Sequence, residues 1–233
     1  MSRASESDAP RTDVERVAVW DLPVRVVHWT LVALLVGLVT TGLIGNEWLE
    51  WHMRLGKALI AVVLFRVLWG FAGSRNARFR TFVRGPRAAA SYVRSRFERR
   101  PEIHVTHNPL GGWMAILLLV AMLAQAGTGL FANDEVLYEG PLASHVTQAL
   151  SNALSSVHRR FWWVVVTLAA LHVAAVLTYL VVLRENLIAP MVAGAKALPP
   201  GAARPEDAIA STARAIGLAV ASFAAVFGLL SLA

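Results

Sequence analysis

The sequence predicts an all-α membrane protein, a four-helix transmembrane bundle followed by a fifth, C-terminal transmembrane helix. Composition is the first reason. Of 233 residues, 56% are hydrophobic and only 16% are charged, whereas soluble domains carry about 25% charged residues; the mean hydropathy is +0.54. Charge placement is the second. Residues 26–46, 103–133, 161–183 and 215–233 contain no Asp, Glu, Lys or Arg, and a fifth stretch, 58–74, is broken only by Arg66. A bilayer core takes about 20 apolar helical residues to cross, so each stretch is a span. What remains is too short for a second large domain.

In chain order, residues 1–17 form a polar tail of mixed charge, unlike a signal peptide. Spans 1 and 2 are joined by a short loop, Gly45 to Gly56. Nine arginines fill 75–100, and Arg87 to Arg100 reads as a basic amphipathic helix on the membrane surface. Span 3 leads into a longer connection, Ala132 to Val157, which reads as a docking segment, and then span 4 follows. The 195–207 stretch, with Pro199, Pro200 and Pro205, is a linker to span 5. The expected division is 1–17 tail, 18–198 four-helix domain, and 199–233 linker with the fifth helix.

The first 25 residues, the 75–100 loop and the 184–214 segment together hold 17 of the 22 Lys and Arg residues. The positive-inside rule then predicts a multi-pass protein of the bacterial cytoplasmic (inner) membrane, with the N-terminus cytoplasmic and the C-terminus periplasmic. Orientation also explains the net charge of +7 better than nucleic-acid binding does. All eight tryptophans fall near predicted span ends, as an aromatic belt requires. The absence of cysteine excludes disulfides, iron–sulfur clusters, thiolate chemistry and covalent c-type haem attachment.

Ionisable groups in or beside spans are costly and point to function. Four of the seven histidines are so placed: His28, His52, His158 and His172. His172 follows His158 by 14 residues, about 21 Å of helical rise on nearly the same face. Sorted by depth, His52 and His158 lie at the outer level, and His28 and His172 at the inner. Two imidazoles facing each other at one level suit bis-histidine ligation of haem b. Haem propionates need cationic partners. Arg54, Arg159 and Arg160 stand at the outer level; Arg25 and Arg66 stand at the inner, where Arg66 otherwise merely snorkels. An echo joins the two halves: Thr41-Gly42-Leu43 against Thr128-Gly129-Leu130, and +14 spacing after both His52 and His158.

Several motifs resemble the bacterial b-type cytochrome family, which includes cytochrome b subunits of nickel–iron hydrogenases and relatives of formate dehydrogenase gamma subunits. They are Trp20-Asp21-Leu22-Pro23-Val24-Arg25 with His28-Trp29, His52 with Gly56, Arg66 and Trp69-Gly70, and His107-Asn108-Pro109-Leu110-Gly111-Gly112-Trp113. Thr128-Gly129-Leu130-Phe131, His158, His172 and Arg184-Glu185-Asn186-Leu187 complete the set. The resemblance covers roughly 18–198. It implies a four-helix di-haem core with ligand pairs His28/His172 and His52/His158, the pairing that depth alone gives, and a single haem as the other count.

The expected function is electron transfer between a periplasmic redox protein and the quinone pool. The partner is a hydrogenase, a formate dehydrogenase or a cytochrome c, and a homodimer is a further candidate assembly. His107 and Asn108 are candidates for a quinone, the alternative being that Asn108 simply caps span 3. Gln125 is expected to tie helices together; His104 and His145 are expected to be loop residues. Two readings from other classes compete. A histidine-lined metal-ion transporter calls for acidic residues within the spans, and none is present. A non-redox anchor of a periplasmic enzyme leaves the paired histidines unexplained.

Overall fold

The computed structural model describes residues 15–97, 106–198 and 210–232. Its elements in order are β1 (Glu15–Ala18), α1 (Leu22–Ile44), α2 (Leu49–Ala72), α3 (Phe79–Phe82), α4 (Pro86–Phe97), α5 (Pro109–Gly129), α6 (Gln148–Val181), α7 (Ile188–Ala193), β2 (Ala195–Leu198) and α8 (Thr212–Ser231). Five helices are long and apolar enough to cross a membrane: α1, α2 with the turn before it, α5, α6 and α8.

The helix boundaries follow from capping chemistry. The Asp21 carboxylate accepts a hydrogen bond from the Val24 N–H at 2.8 Å, and Pro23 fits the first turn of α1. Asn108 caps α5 in the same way through Gly111 N–H at 2.7 Å, with Pro109 as its first residue. This cap starts α5 six residues into the uncharged 103–133 run. Thr147 caps α6 and Ser211 caps α8. Two spanning helices reach furthest beyond their uncharged runs. α2 begins at Leu49 and takes in Arg54 and Lys57, while α6 is a single helix of 34 residues that begins well before 161.

α2 is the central helix, packed against α1, α5 and α8, and α5 is the main neighbour of α6. One apolar cluster joins Val24 and Val27 of α1, Val62, Phe65 and Trp69 of α2, Ala77 and Ala215 of α8. The fifth helix therefore buttresses α2 from outside the four-helix set. A second cluster, with Leu59 and Val63 of α2, Leu119 and Met122 of α5 and Val165 of α6, lies mid-bundle. Among the eight tryptophans, Trp69 departs from the expected belt. It is fully buried, and its indole N–H donates to Asp21 Oδ2 at 2.9 Å, tying the start of α1 to the end of α2.

β1 and β2 pair antiparallel, Glu15 opposite Leu198 and Ala18 opposite Ala195. The end of the expected polar tail and the start of the expected 195–207 linker thus form one ribbon, a strand pairing too short and too charged to read from sequence. The basic helix expected over 87–100 is α4, Pro86–Phe97. Residues 1–14, His104, and Pro199, Pro200 and Pro205 lie outside the described residues.

Candidate functional site

α6 carries both His158 and His172, α1 carries His28 and α2 carries His52. The bundle brings them together in two pairs. The His28 and His172 rings are 6.3 Å apart between centroids, with planes at 63°; His52 and His158 are 6.0 Å apart at 85°. Val165, 2% exposed, falls midway between the two histidines of α6 and packs with Leu59 and Val63. An apolar waist therefore separates two histidine levels.

At the His52 level the imidazoles are held by matching contacts. His52 Nδ1 lies 3.0 Å from the Leu38 carbonyl and 3.2 Å from Thr41 Oγ1. His158 Nδ1 lies 2.8 Å from the Gln125 carbonyl and 3.4 Å from Thr128 Oγ1. In both, the carbonyl precedes the threonine by three residues and a glycine follows it. The carbonyl can only accept, so each Nδ1 carries the proton and each Nε2 keeps its lone pair. That is the tautomer an imidazole needs to bind a metal through Nε2. The glycines permit this closeness, Gly129 more strictly than Gly42: a Cβ on Gly42 would stand 3.1 Å from His52 Cε1, and one on Gly129 only 2.7 Å from His158 Cε1. These threonines, glycines and carbonyls are functional groups that sequence reasoning did not assign. The only signal was the repeated Thr-Gly-Leu.

Haem b is the group such pairs would hold, and the fit can be tested on the spacing. Two imidazoles that coordinate one ion along a common axis put their ring centres about 6 Å apart, since each metal–nitrogen bond takes about 2 Å and the rest is ring. Both observed separations meet this. Among the described residues no three His, Cys, Asp or Glu side chains gather to hold a metal ion, so the donor sets are pairs of imidazoles, suited to a planar ligand that supplies its own equatorial nitrogens.

The arginines are placed unequally. Arg66 is 7% exposed, donates to the Ala77 carbonyl at 3.3 Å and lies over the Phe79 ring, so it does not snorkel to solvent. Arg25 donates from Nη1 to the Val192 carbonyl at 2.6 Å, while its buried Nε has no partner. At the other level Arg54 pairs with Glu50 and lies over Trp51. Arg159 and Arg160 are exposed.

His107 packs between the Trp20 and Phe82 rings, at 4.7 and 4.5 Å, and its enclosed Nδ1 has no hydrogen-bond partner. Burial, then Arg66, then His172 and His28 push it down to about 3, so the ring is neutral. Asn108 is the helix cap, as one of the two sequence readings had it, and its Nδ2 also donates to Tyr179 at 2.8 Å. Gln125 Nε2 donates to the His158 carbonyl at 3.0 Å, tying α5 to α6 as expected. His145 lies in an exposed turn.

Beyond the His52 level, the 130–147 connection is clasped to α6. Asn133, buried, donates from its backbone to Ser155 Oγ at 2.9 Å and from Nδ2 to Ser151 and Asn152. Asp134 accepts from the N–H groups of Val136, Leu137 and Tyr138, which hold its carboxyl below the usual range.

The sequence profile described as prokaryotic cytochrome b561 matches residues 19–194. Three relatives carry the name "Probable Ni/Fe-hydrogenase B-type cytochrome subunit". The one from Bradyrhizobium diazoefficiens is 24% identical, over 76% of this chain and 85% of its own length. That from Rhodobacter capsulatus is 26% identical, over 80% and 86%. That from Rhizobium leguminosarum bv. viciae is 23% identical, over 77% and 88%. No solved structure matches significantly.

Proposed function

The chain belongs to the prokaryotic cytochrome b561 family, and from that premise we propose that it conducts electrons across the bacterial cytoplasmic membrane between a periplasmic redox partner and the quinone pool. That it is a multi-pass membrane b-type cytochrome of the hydrogenase-associated kind follows from the family and the spanning helices. Haem b, when bound, supplies one-electron iron chemistry.

The observation that carries the reading is the double pairing of imidazoles at 6.3 and 6.0 Å across an apolar waist. His28 and His172 hold one haem and His52 and His158 the other, each through a ring nitrogen lone pair. The Leu38 and Gln125 carbonyls orient the second pair by accepting the Nδ1 protons. Arg25 and Arg66 serve propionates at the His28 level; Arg159 and Arg160, with Arg54 if it leaves Glu50, serve them at the other. His107, with a buried and unpartnered Nδ1, hydrogen-bonds a quinone at the His28 level, and Asn108 holds the start of α5 beside it. The arginine-rich loop between α2 and α5 supports a cytoplasmic location for that level. The clasped 130–147 connection then faces the periplasm. The names of the relatives favour a nickel–iron hydrogenase as the partner docked there.

The test is a reduced-minus-oxidised optical spectrum of the purified protein with haem counted per chain. Two b-type haems are expected, with loss of one in His172→Ala and of the other in His52→Ala. One haem in the parent protein would leave a single occupied pair, and the two variants would show which. No haem in protein made with ample haem supply would sink the reading.

A further inference from the structure

The Thr-Gly-Leu repeat sets one hydroxyl beside each imidazole at the His52 level, and the two hydroxyls are bonded differently. Thr41, buried on α1, donates its proton to the Gly37 carbonyl at 2.7 Å, with the Leu38 carbonyl a distant second at 3.3 Å. A hydroxyl oxygen whose proton is engaged still has lone pairs to offer. That oxygen stands 3.2 Å from His52 Nδ1, whose proton also reaches the Leu38 carbonyl at 3.0 Å. His52 therefore has two acceptors for one proton.

Thr128, on the matching turn of α5, donates to the Gln125 carbonyl at 2.8 Å. The same carbonyl accepts the His158 Nδ1 proton, also at 2.8 Å. The Thr128 oxygen is 3.4 Å from that nitrogen, past the usual range for an N–H···O bond. Thr128 thus competes for the carbonyl on which His158 relies and adds little of its own. Thr41 does the reverse, because its proton goes to a carbonyl that His52 does not use.

The consequence is electronic. An N–H drawn towards an acceptor makes the opposite ring nitrogen more basic. A more electron-rich ligand favours oxidised over reduced iron, which lowers the reduction potential. We propose that Thr41 and Thr128 are positioning residues that set the potential of the haem held by His52 and His158, in opposite senses: Thr41 lowers it through His52, and Thr128 raises it through His158. The inference rests on the assignment of those two histidines as ligands. Both Nδ1 protons stay in place when the iron gains or loses its electron.

The experiment is a potentiometric titration of the full haem-loaded chain, followed in the optical spectrum. The midpoint of the His52/His158 haem is identified as the one that remains in His172→Ala. Thr41→Val keeps the shape and loses the acceptor, and should raise that midpoint. Lost support for a metal-binding histidine starts at about a tenfold effect, and the Leu38 carbonyl remains. The rise is therefore at most about 59 mV, which is tenfold for a one-electron couple. Thr128→Val should lower the same midpoint. Thr41→Ser, which retains the hydroxyl, should restore the parent value, and the His28/His172 midpoint should move in none of the three.

An unmoved or lowered midpoint in Thr41→Val would overturn the inference. So would a rise in Thr128→Val, or an equal movement of both haems, because either would report a general change in packing. If Thr41→Val does not retain its haem, the fall in Thr128→Val remains the test. Two haems with unmoved midpoints would overturn this inference alone. A parent chain with no haem on the His52/His158 pair would overturn the ligand assignment with it.

Discussion

Gly129→Ala places a methyl group against the His158 imidazole, and the structure sets how far the ring must give. The new Cβ would stand 2.7 Å from Cε1 and 3.0 Å from Nδ1, whereas ordinary contact begins at 3.4 Å. The ring must therefore retreat by about 0.7 Å, against a tolerance of about 0.2 Å for a metal–ligand bond. Retreat also strains the 2.8 Å bond from Nδ1 to the Gln125 carbonyl. Losing such support for a metal-binding histidine costs about ten- to a hundredfold in affinity. Gly42→Ala is the internal comparison. Its Cβ would stand 3.1 Å from His52 Cε1, a shortfall of 0.3 Å that a small ring rotation absorbs. Haem per chain, measured on both variants purified from haem-replete cells, separates the two. Gly129→Ala should fall to one haem per chain, the His28/His172 one, while Gly42→Ala stays near the parent value. Full haem content and an unchanged spectrum in Gly129→Ala would refute the assignment of His158 as a ligand from its present position.

Three further outcomes are expected. Asp21→Ala removes the α1 cap, worth about 1 kcal/mol, and strands the buried Trp69 N–H, worth about 1–3 kcal/mol; an unchanged denaturation midpoint in detergent would show that this tie contributes nothing. Asn133→Ala should cost about 1–3 kcal/mol and expose the 130–147 connection to proteases, so an unaltered digestion rate would count against the clasp. His107 is held at about 3 in the folded chain, below the ordinary 6.5. As pH falls below 6.5 the unfolded chain takes up a proton that the folded ring refuses, so stability declines from there towards pH 3. His107→Phe should flatten that decline in melting temperature, and parallel profiles for parent and variant would contradict it.

Much of the fold was legible because lipid imposes a coarse rule: charge is absent where the helix is in hydrocarbon. The four uncharged runs and the one broken only by Arg66 thus mark five helices, and the 14-residue spacing of His158 and His172 conveys depth without any tertiary knowledge. What escaped the sequence depends on pairing between distant residues. Trp69 looks like an interfacial tryptophan until Asp21 is seen to receive its N–H. β1 and β2 are four residues each and far apart in sequence, so neither carries a periodic signal. Helix α2 begins nine residues before its uncharged run because Arg54 and Lys57 sit in its first turns, near the helix end, where charge is tolerated. The roles of Thr41 and Thr128 depend on which way an imidazole turns, and the repeated Thr-Gly-Leu hinted at them without saying so.

α6 also has a mechanical side. At 1.5 Å per residue its 34 residues reach about 51 Å, against a hydrocarbon core of about 30 Å. The segment before residue 161 stands clear of the core as a stalk. Ser151 and Ser155, which grip Asn133, sit on that stalk, and Ser155 is less than one turn from His158. There is no joint between them. A force that displaces the 130–147 connection travels down a rigid rod directly to an imidazole, so whatever settles on that surface also bears on the geometry of the His52/His158 pair.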